Sequence, residues 1–272
     1  MNYLFEAIIR TKGLILSEKK KFLVLFLLQS LLLIFMAIIS GYYQVILFAD
    51  LQLVLEPLQR ANLDQASLEA GGQFLKDAAP LLNGYHHLVK HARAWLLWVS
   101  LLFLTVNGWL WALSFNLIEK TNFKQLARIW LNYAAAGVVL LALFCLAAVL
   151  FFGKAFATEN LIGEVRGSLR DLFIAITLIY FLFLSVIAKC NQNSWRQLIK
   201  EIIRLRSSLH YLFLVFIFNS GLLALIIFFI FRASENLPWV LLLAILLILA
   251  LNITRLFWLV AVDQLVRGKL NN

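Results

Sequence analysis

The amino-acid sequence predicts an all-α polytopic membrane protein: six transmembrane helices arranged as three hairpins, with amphipathic surface helices between them. Hydrophobic residues are 63% of the 272 positions and charged residues only 14%, a composition far from that of a soluble domain. The apolar residues come in runs of about 20, the length of helix that crosses a hydrocarbon core roughly 30 Å thick. A net charge of +10 then indicates basic residues gathered at one membrane face, and we expect no nucleic-acid partner.

A short surface helix over residues 2–12 is predicted before the first span. The cluster Lys19, Lys20 and Lys21 and the apolar run after it resemble a signal peptide. The run is too long for one, and Ile38 and Ser40 form a poor cleavage pair, so we expect an uncleaved anchor. The predicted spans of this single integral membrane domain cover residues 22–42, 94–118, 129–152, 172–188, 211–231 and 239–260.

One long connection, residues 50–91, follows the first span. It is rich in leucine and its few charges are nearly balanced, which is unusual for a free linker. We expect short interfacial helices, broken at Gly71-Gly72 and near Pro80, lying against the outer membrane face.

The distribution of lysine and arginine predicts the orientation. Fifteen of these residues fall in the N-terminal segment, the second and fourth connections and the tail, whereas eight fall on the opposite side. Because cytoplasmic loops carry the excess of positive charge, both termini are predicted to lie in the cytoplasm, with the protein integral to the cell membrane. Tryptophans toward the two ends of the second span indicate anchors at headgroup depth, namely Trp95, Trp98, Trp109 and Trp111.

The fourth connection contains an amphipathic stretch over residues 193–205. Ile202 belongs to its apolar face, and its cations recur at i, i+4 spacing on the other face. Residues 121–128 repeat the same order of residue types. We expect both stretches to lie on the cytoplasmic membrane surface and to contact anionic lipids or another protein. The residues assigned to these contacts are Trp195, Arg196, Lys200, Arg204, Lys124 and Arg128.

Small residues predict two helix faces for close packing, because short side chains let backbones approach. Ala135, Ala142 and Cys145 share one face of the third span, which we therefore place inside the bundle. Ser220 and Gly221 belong to a similar segment of the fifth span.

Polar side chains inside spans are predicted to form interhelical hydrogen bonds, with a polar substrate path as the alternative. Arg255 is the one charged residue within a predicted span. It lies near the cytoplasmic end of that span, within snorkelling reach of the headgroups, and Asp263 is its candidate partner; an ion pathway is the alternative. The intramembrane polar residues are Gln29, Ser30, Gln44, Asn107, Asn116, Asn132, Asn219, Asn252 and Arg255.

No catalytic motif stands out, and the spans carry no carboxylate of the kind that ion-coupled carriers use near mid-membrane. His86, His87 and His91 are the one cluster of reactive side chains. They suit either a metal site completed by Asp77 or Glu69, or polar residues at the membrane interface. We expect the interfacial role, with no metal, no cofactor and no catalytic residue.

The six-span plan with an N-terminal surface helix resembles the membrane subunits of export-type ATP-binding-cassette transporters. In those proteins, cytoplasmic helices between spans receive a separate ATPase. This chain departs from them because its long outer connection follows the first span, whereas theirs usually lies between the last two. We therefore expect first a non-catalytic integral membrane protein that acts through helix packing and lipid or partner contacts. A permease component that docks a cytoplasmic ATPase is the alternative, and an outer-face metal enzyme is the third hypothesis.

Overall fold

The computed structural model describes residues 2–60, 78–155, 161–191, 197, 199–201, 203 and 208–270. Over these ranges the backbone forms helices and short turns, with no strand, which confirms the all-α prediction. A π-helical turn, Phe103–Asn107, joins the third and fourth helices. The helices in chain order are α1 Asn2–Ser17, α2 Lys19–Arg60, α3 Ala78–Leu102, α4 Gly108–Ile118, α5 Phe123–Ala155, α6 Leu161–Ile187, α7 Leu209–Arg232 and α8 Leu237–Leu270.

Six helical segments within these ranges are long and apolar enough to cross a membrane. Each overlaps one of the spans predicted from the sequence, so the prediction of a polytopic helical membrane protein is confirmed. The segments are Lys19–Glu56, Leu82–Ile118, Phe123–Leu150, Leu169–Ile187, Leu209–Arg232 and Leu237–Leu265.

The connection predicted over 50–91 is corrected, because helix extends into it from both sides. Residues 50–60 continue α2, and residues 78–91 belong to α3. No glycine or proline precedes Pro57 in the leucine-rich part, so nothing there ends the helix. Pro80 falls in the first turn of α3, where a missing N–H breaks no helical hydrogen bond. The predicted break at Gly71-Gly72 lies outside the described residues.

The chain divides into two compact units, and Leu31–Phe103 form one of them. Within it, the end of α2 and α3 pair as an antiparallel hairpin. A Cβ placed on Gly84 would lie 3.3 Å from the carbonyl carbon of Leu53, so the two backbones approach closely there. Further along, His91 Nδ1 lies 2.7 Å from the Oδ2 of the buried Asp50. One glycine and one polar pair therefore set the register of this hairpin.

Residues Met1–Ser30 and Leu104–Asn272 form the other unit. In it, α5 packs against α4 and α6, and α8 packs against α1, α4 and α7. The residues from Thr254 to Val262 are all buried, so this part of α8 is covered on every side. Trp258 Nε1 donates to the Leu184 carbonyl of α6 at 2.9 Å. Residues 254–262 of α8 are thus the centre of the core of this unit.

Both predicted small-residue faces are wrong in this structure. Ala135, Ala142 and Cys145 are exposed along α5, and a Cβ on Gly221 would meet no atom within 4 Å. Small residues permit close packing but do not require it, and larger contacts set the rotation of α5. Its buried face contains Leu126, Ile129, Tyr133, Ala136, Gly137, Leu140 and Ala147.

The N-terminal helix α1 extends beyond the surface helix predicted over 2–12, and it packs through small side chains. Ala7 and Thr11 are buried, whereas Phe5, Ile8 and Ile9 are exposed. The small residues allow α1 to approach α8 closely, and the large apolar ones are left on the outside. This outward apolar stripe suits contact with lipid rather than with water.

Candidate functional site: a buried arginine network

Arg255, on α8, has only 8% of its surface exposed. Its Nη2 donates hydrogen bonds to Gln29 Oε1 at 2.7 Å and to Asn107 Oδ1 at 3.2 Å. Its Nη1 donates to Asn252 Oδ1 at 3.5 Å, one turn earlier on the same helix. The guanidinium is therefore held by three neutral amide oxygens.

Two aromatic side chains complete the site. The Cζ of Arg255 lies 5.4 Å from the centre of the Trp111 ring, within range of a cation–π interaction. The Nδ2 of Asn107 donates to Tyr133 Oη at 2.7 Å, and Tyr133 is fully buried. These residues join α2, the π turn, α4, α5 and α8. We call this set of side chains the arginine network: Gln29, Asn107, Trp111, Tyr133, Asn252 and Arg255.

The π turn and the glycine after it position this site. Asn107 is the last residue of the π turn, a local irregularity that re-aims side chains along a helix. A Cβ on Gly108 would lie 2.8 Å from Tyr133 Cδ1 and 2.9 Å from Trp130 Cδ1, so only glycine lets α4 sit this close to α5. Trp130 Nε1 donates to the Thr105 carbonyl of the π turn at 3.1 Å.

The expectation that Arg255 snorkels to the headgroups is wrong, because its side chain is buried among protein groups. Its candidate partner Asp263 instead forms an ion pair with Arg10 of α1, with Nη1 and Oδ2 2.7 Å apart. Arg255 precedes Asp263 by eight residues, and Gln29 follows Lys21 by eight. At a rise of 1.5 Å per residue, the backbone of Arg255 is about 12 Å along the helix from Asp263, and that of Gln29 is the same distance from Lys21.

Within the described ranges, no carboxylate pairs with the positive charge of Arg255, because none of the ion pairs there includes this residue. A charge near the centre of a membrane helix costs about 2.5–3.5 kcal/mol on insertion scales, and here neutral oxygens and a ring face offset that cost. Arginine, amide and phenol groups are poor proton carriers at neutral pH. The arrangement is suited to holding helices together and to holding a fixed charge.

Sequence reasoning singled out Arg255, Gln29 and Asn107 separately but did not connect them, and it missed the roles of Trp111 and Tyr133. Trp111, predicted as a headgroup anchor, is buried over the guanidinium. One signal was available in the sequence: the predicted spans contain Arg255 but no carboxylate, so a buried Arg255 would need neutral partners. Comparing depths from the charged flanks would then have placed Gln29 at the level of Arg255.

The remaining intramembrane asparagines make separate contacts. Asn132 Nδ2 donates to the Cys190 carbonyl at 2.8 Å, so α5 holds the end of α6. Asn219 Nδ2 donates to the Thr254 carbonyl at 3.3 Å, which links α7 to α8. Ser30 bonds within its own helix, and Gln44 is exposed. Polar contacts therefore occur at several helix pairs outside the arginine network.

The histidine cluster lies near the middle of α3. The rings of His87 and His91 are 6.1 Å apart, and Asp50 is the carboxylate beside His91. Within the described ranges, no group of three or more metal-ligating side chains is close enough to hold an ion. Asp77 and Glu69, the predicted additional ligands, lie outside those ranges.

Only part of the predicted amphipathic surface falls on described residues. Residues 121–128 are no separate helix but the first turns of α5 and the residues before them, where Asn122 and Gln125 cap each other's backbone N–H groups at 3.0 and 2.9 Å. Lys124 and Lys200 are exposed and Arg128 is half-buried. Most of 193–205 lies outside the described residues, including Trp195, Arg196 and Arg204.

The buried Cys190 should be protected from modification. Burial raises the pKa of its thiol, just beyond the end of α6, to about 12. The thiolate is the reactive form, so burial keeps Cys190 protonated and also out of reach of a reagent. We expect N-ethylmaleimide at pH 8 to leave Cys190 unmodified in the folded, detergent-solubilised protein and to modify it in SDS.

Because Cys190 has no exposed surface, the reagent reaches it only when this part of the chain opens, so its labelling should be much slower in the folded protein than in SDS. Peptide mass spectrometry after timed labelling checks this. Modification of Cys190 at the same rate in the folded protein and in SDS would contradict it.

The fold and the arginine network define the class of the molecule, a polytopic α-helical integral membrane protein. No family model, no curated protein and no solved structure matches the chain.

Proposed function

We propose that this is a non-catalytic integral membrane protein that works through its packed helices and through contacts with anionic lipid at the cytoplasmic face. The observation that carries the proposal is the exposed surface of α1 and of the start of α2. Phe5, Ile8 and Ile9 present apolar side chains outward on α1, and Lys19 and Lys20 are exposed about ten residues further on, in the first turn of α2. Apolar stripes next to cations bind anionic membrane surfaces, with each cation contributing about 1 kcal/mol.

Two further observations support it. The arginine network joins parts of five helical elements through groups that bind and orient rather than exchange protons. The excess of lysine and arginine on one side, fifteen against eight, supports a cytoplasmic location for both termini and for this surface.

Lipid-dependent thermal stability tests the proposal. Phosphatidylglycerol at ten times its dissociation constant should raise the melting temperature of the purified protein by about 3 °C, and phosphatidylcholine should raise it far less. Because the attraction is electrostatic, the difference should shrink in 1 M salt. Intrinsic tryptophan fluorescence reports the transition. Equal stabilisation by both lipids would contradict the proposal.

A permease component that docks an ATPase is the second candidate. The observation that favours it is the pair of exposed apolar residues Ile199 and Ile203, one helical turn apart on the fourth connection, with the exposed Lys200 between them. Recovery of a stoichiometric ATP-hydrolysing subunit with the protein from its native membrane would select this candidate.

A further inference from the structure

An apolar groove of about 340 Å³ lies where α1 meets α2. Glu18 lies between the two helices: its N–H donates to the Leu14 carbonyl and its own carbonyl accepts from Phe22 N, both at 3.0 Å. The apolar walls of the groove are Ile15 and Leu16 of α1, Phe22, Leu23 and Phe26 of α2, and Leu249 of α8.

Lys19 is the one charged residue among the described residues that line this groove. Its neighbour Lys21 is paired with Glu18, with Nζ and Oε2 3.4 Å apart, so that carboxylate is already engaged. Within the described ranges no ion pair includes Lys19 or Lys20. The lining of the groove is apolar, so Lys19 contributes its methylene chain to the wall, and its exposed ammonium group lies where the first span begins.

We propose that this groove binds one anionic phospholipid, with its phosphate at the Lys19 ammonium and an acyl chain along Phe22, Leu23 and Phe26. The inference rests on the lipid contacts of the proposed function and assigns them a site and a ligand class. The volume lies within the range of about 300–1,000 Å³ typical of small-molecule sites. A compact amphiphile fits it, and an acyl chain supplies the apolar surface that the walls require.

Charge complementarity distinguishes this occupant from others. An apolar helix of a second copy would cover the walls but would offer no counter-charge to the Lys19 ammonium. A zwitterionic lipid offers the same chain but a headgroup of no net charge. A free phosphate ion would leave the apolar walls uncovered. An anionic phospholipid satisfies both the cation and the walls.

Native mass spectrometry of the full-length protein with phosphatidylglycerol tests the site, using two pairs of variants. Lys19→Gln should weaken binding of the tightest lipid about fivefold, whereas Lys20→Gln, an identical change at an exposed residue outside the groove wall, should change it less than twofold. Leu249→Trp should fill the groove and remove that lipid. Leu246→Trp, on an exposed position of the same helix, should retain it.

The outcomes separate this site from the proposed function. If Lys19→Gln and Lys20→Gln weaken binding equally, or if a folded Leu249→Trp keeps the lipid, the groove is not the site. Should Leu249→Trp fail to fold, the lysine pair decides. If the wild-type protein prefers phosphatidylglycerol and every variant binds it equally well, the proposed function stands but the groove is not the binding site. If the wild type shows no preference for phosphatidylglycerol over phosphatidylcholine, both the proposed function and the groove site are rejected.

Discussion

Gln29→Leu should lower the free energy of unfolding by about 2–3 kcal/mol. The substitution removes the 2.7 Å hydrogen bond to Arg255 Nη2 and leaves a buried charge with fewer acceptors, which costs more than losing a neutral hydrogen bond. Gln44→Leu is the matched control, because Gln44 is on the same helix and exposed; it should change stability by less than about 0.5 kcal/mol. Unfolding in mixed micelles, followed by tryptophan fluorescence, provides the comparison.

The double variant Gln29→Leu, Arg255→Met decides whether the charge is the cause. Arg255→Met alone should also destabilise, because Gln29 and Asn107 lose their donor. Replacing a buried polar pair by apolar residues costs less than leaving one member unpaired. The loss of unfolding free energy in the double variant should therefore be smaller than the sum of the two single-variant losses by about 1–2 kcal/mol. Additive losses would mean that the two side chains act independently.

Gly108→Ala should destabilise the protein by about 1–3 kcal/mol, although alanine is normally the better helix former. The new methyl group would lie 2.8 Å from Tyr133 Cδ1 and 2.9 Å from Trp130 Cδ1, and buried rings move only at the cost of overpacking. Since Tyr133 Oη accepts from Asn107, a shifted ring would also loosen the arginine network.

Gly221→Ala is the matched control and should have the opposite sign. A Cβ at Gly221 meets nothing within 4 Å, so only the backbone effect remains, and it stabilises a helix by about 0.5–1 kcal/mol. Thermal unfolding of the two variants beside the wild type measures both. Stabilisation by both substitutions would show that α4 and α5 are less closely packed than described.

The candidate site could be predicted only in part. Arg255 was identifiable because charge within a span is costly, and Gln29 and Asn107 were identifiable as polar residues within spans. Their convergence was not, because hydropathy describes each helix separately. The rotation of α5 that buries Tyr133 also depends on contacts with α4, and its small residues suggested a different face.

The sequence by itself determined the class, the number of helices able to span a membrane and their approximate positions. That information is local, because a run of apolar side chains either is or is not long enough to cross hydrocarbon. Local sequence was less informative about where the helices end within residues 50–91. A leucine-rich continuation of a membrane-spanning helix and a separate interfacial helix have similar compositions.

Only the tertiary structure decided which side chains share an environment. It turned Ala7 and Thr11 of α1 inward and Phe5 outward, paired Arg10 with Asp263, and left Arg255 among amides and a tryptophan ring. Each of these depends on the rotation of one helix against another. Rotation is set by the sum of many contacts between residues distant in sequence, and the apolar composition of a span is nearly the same on all of its faces.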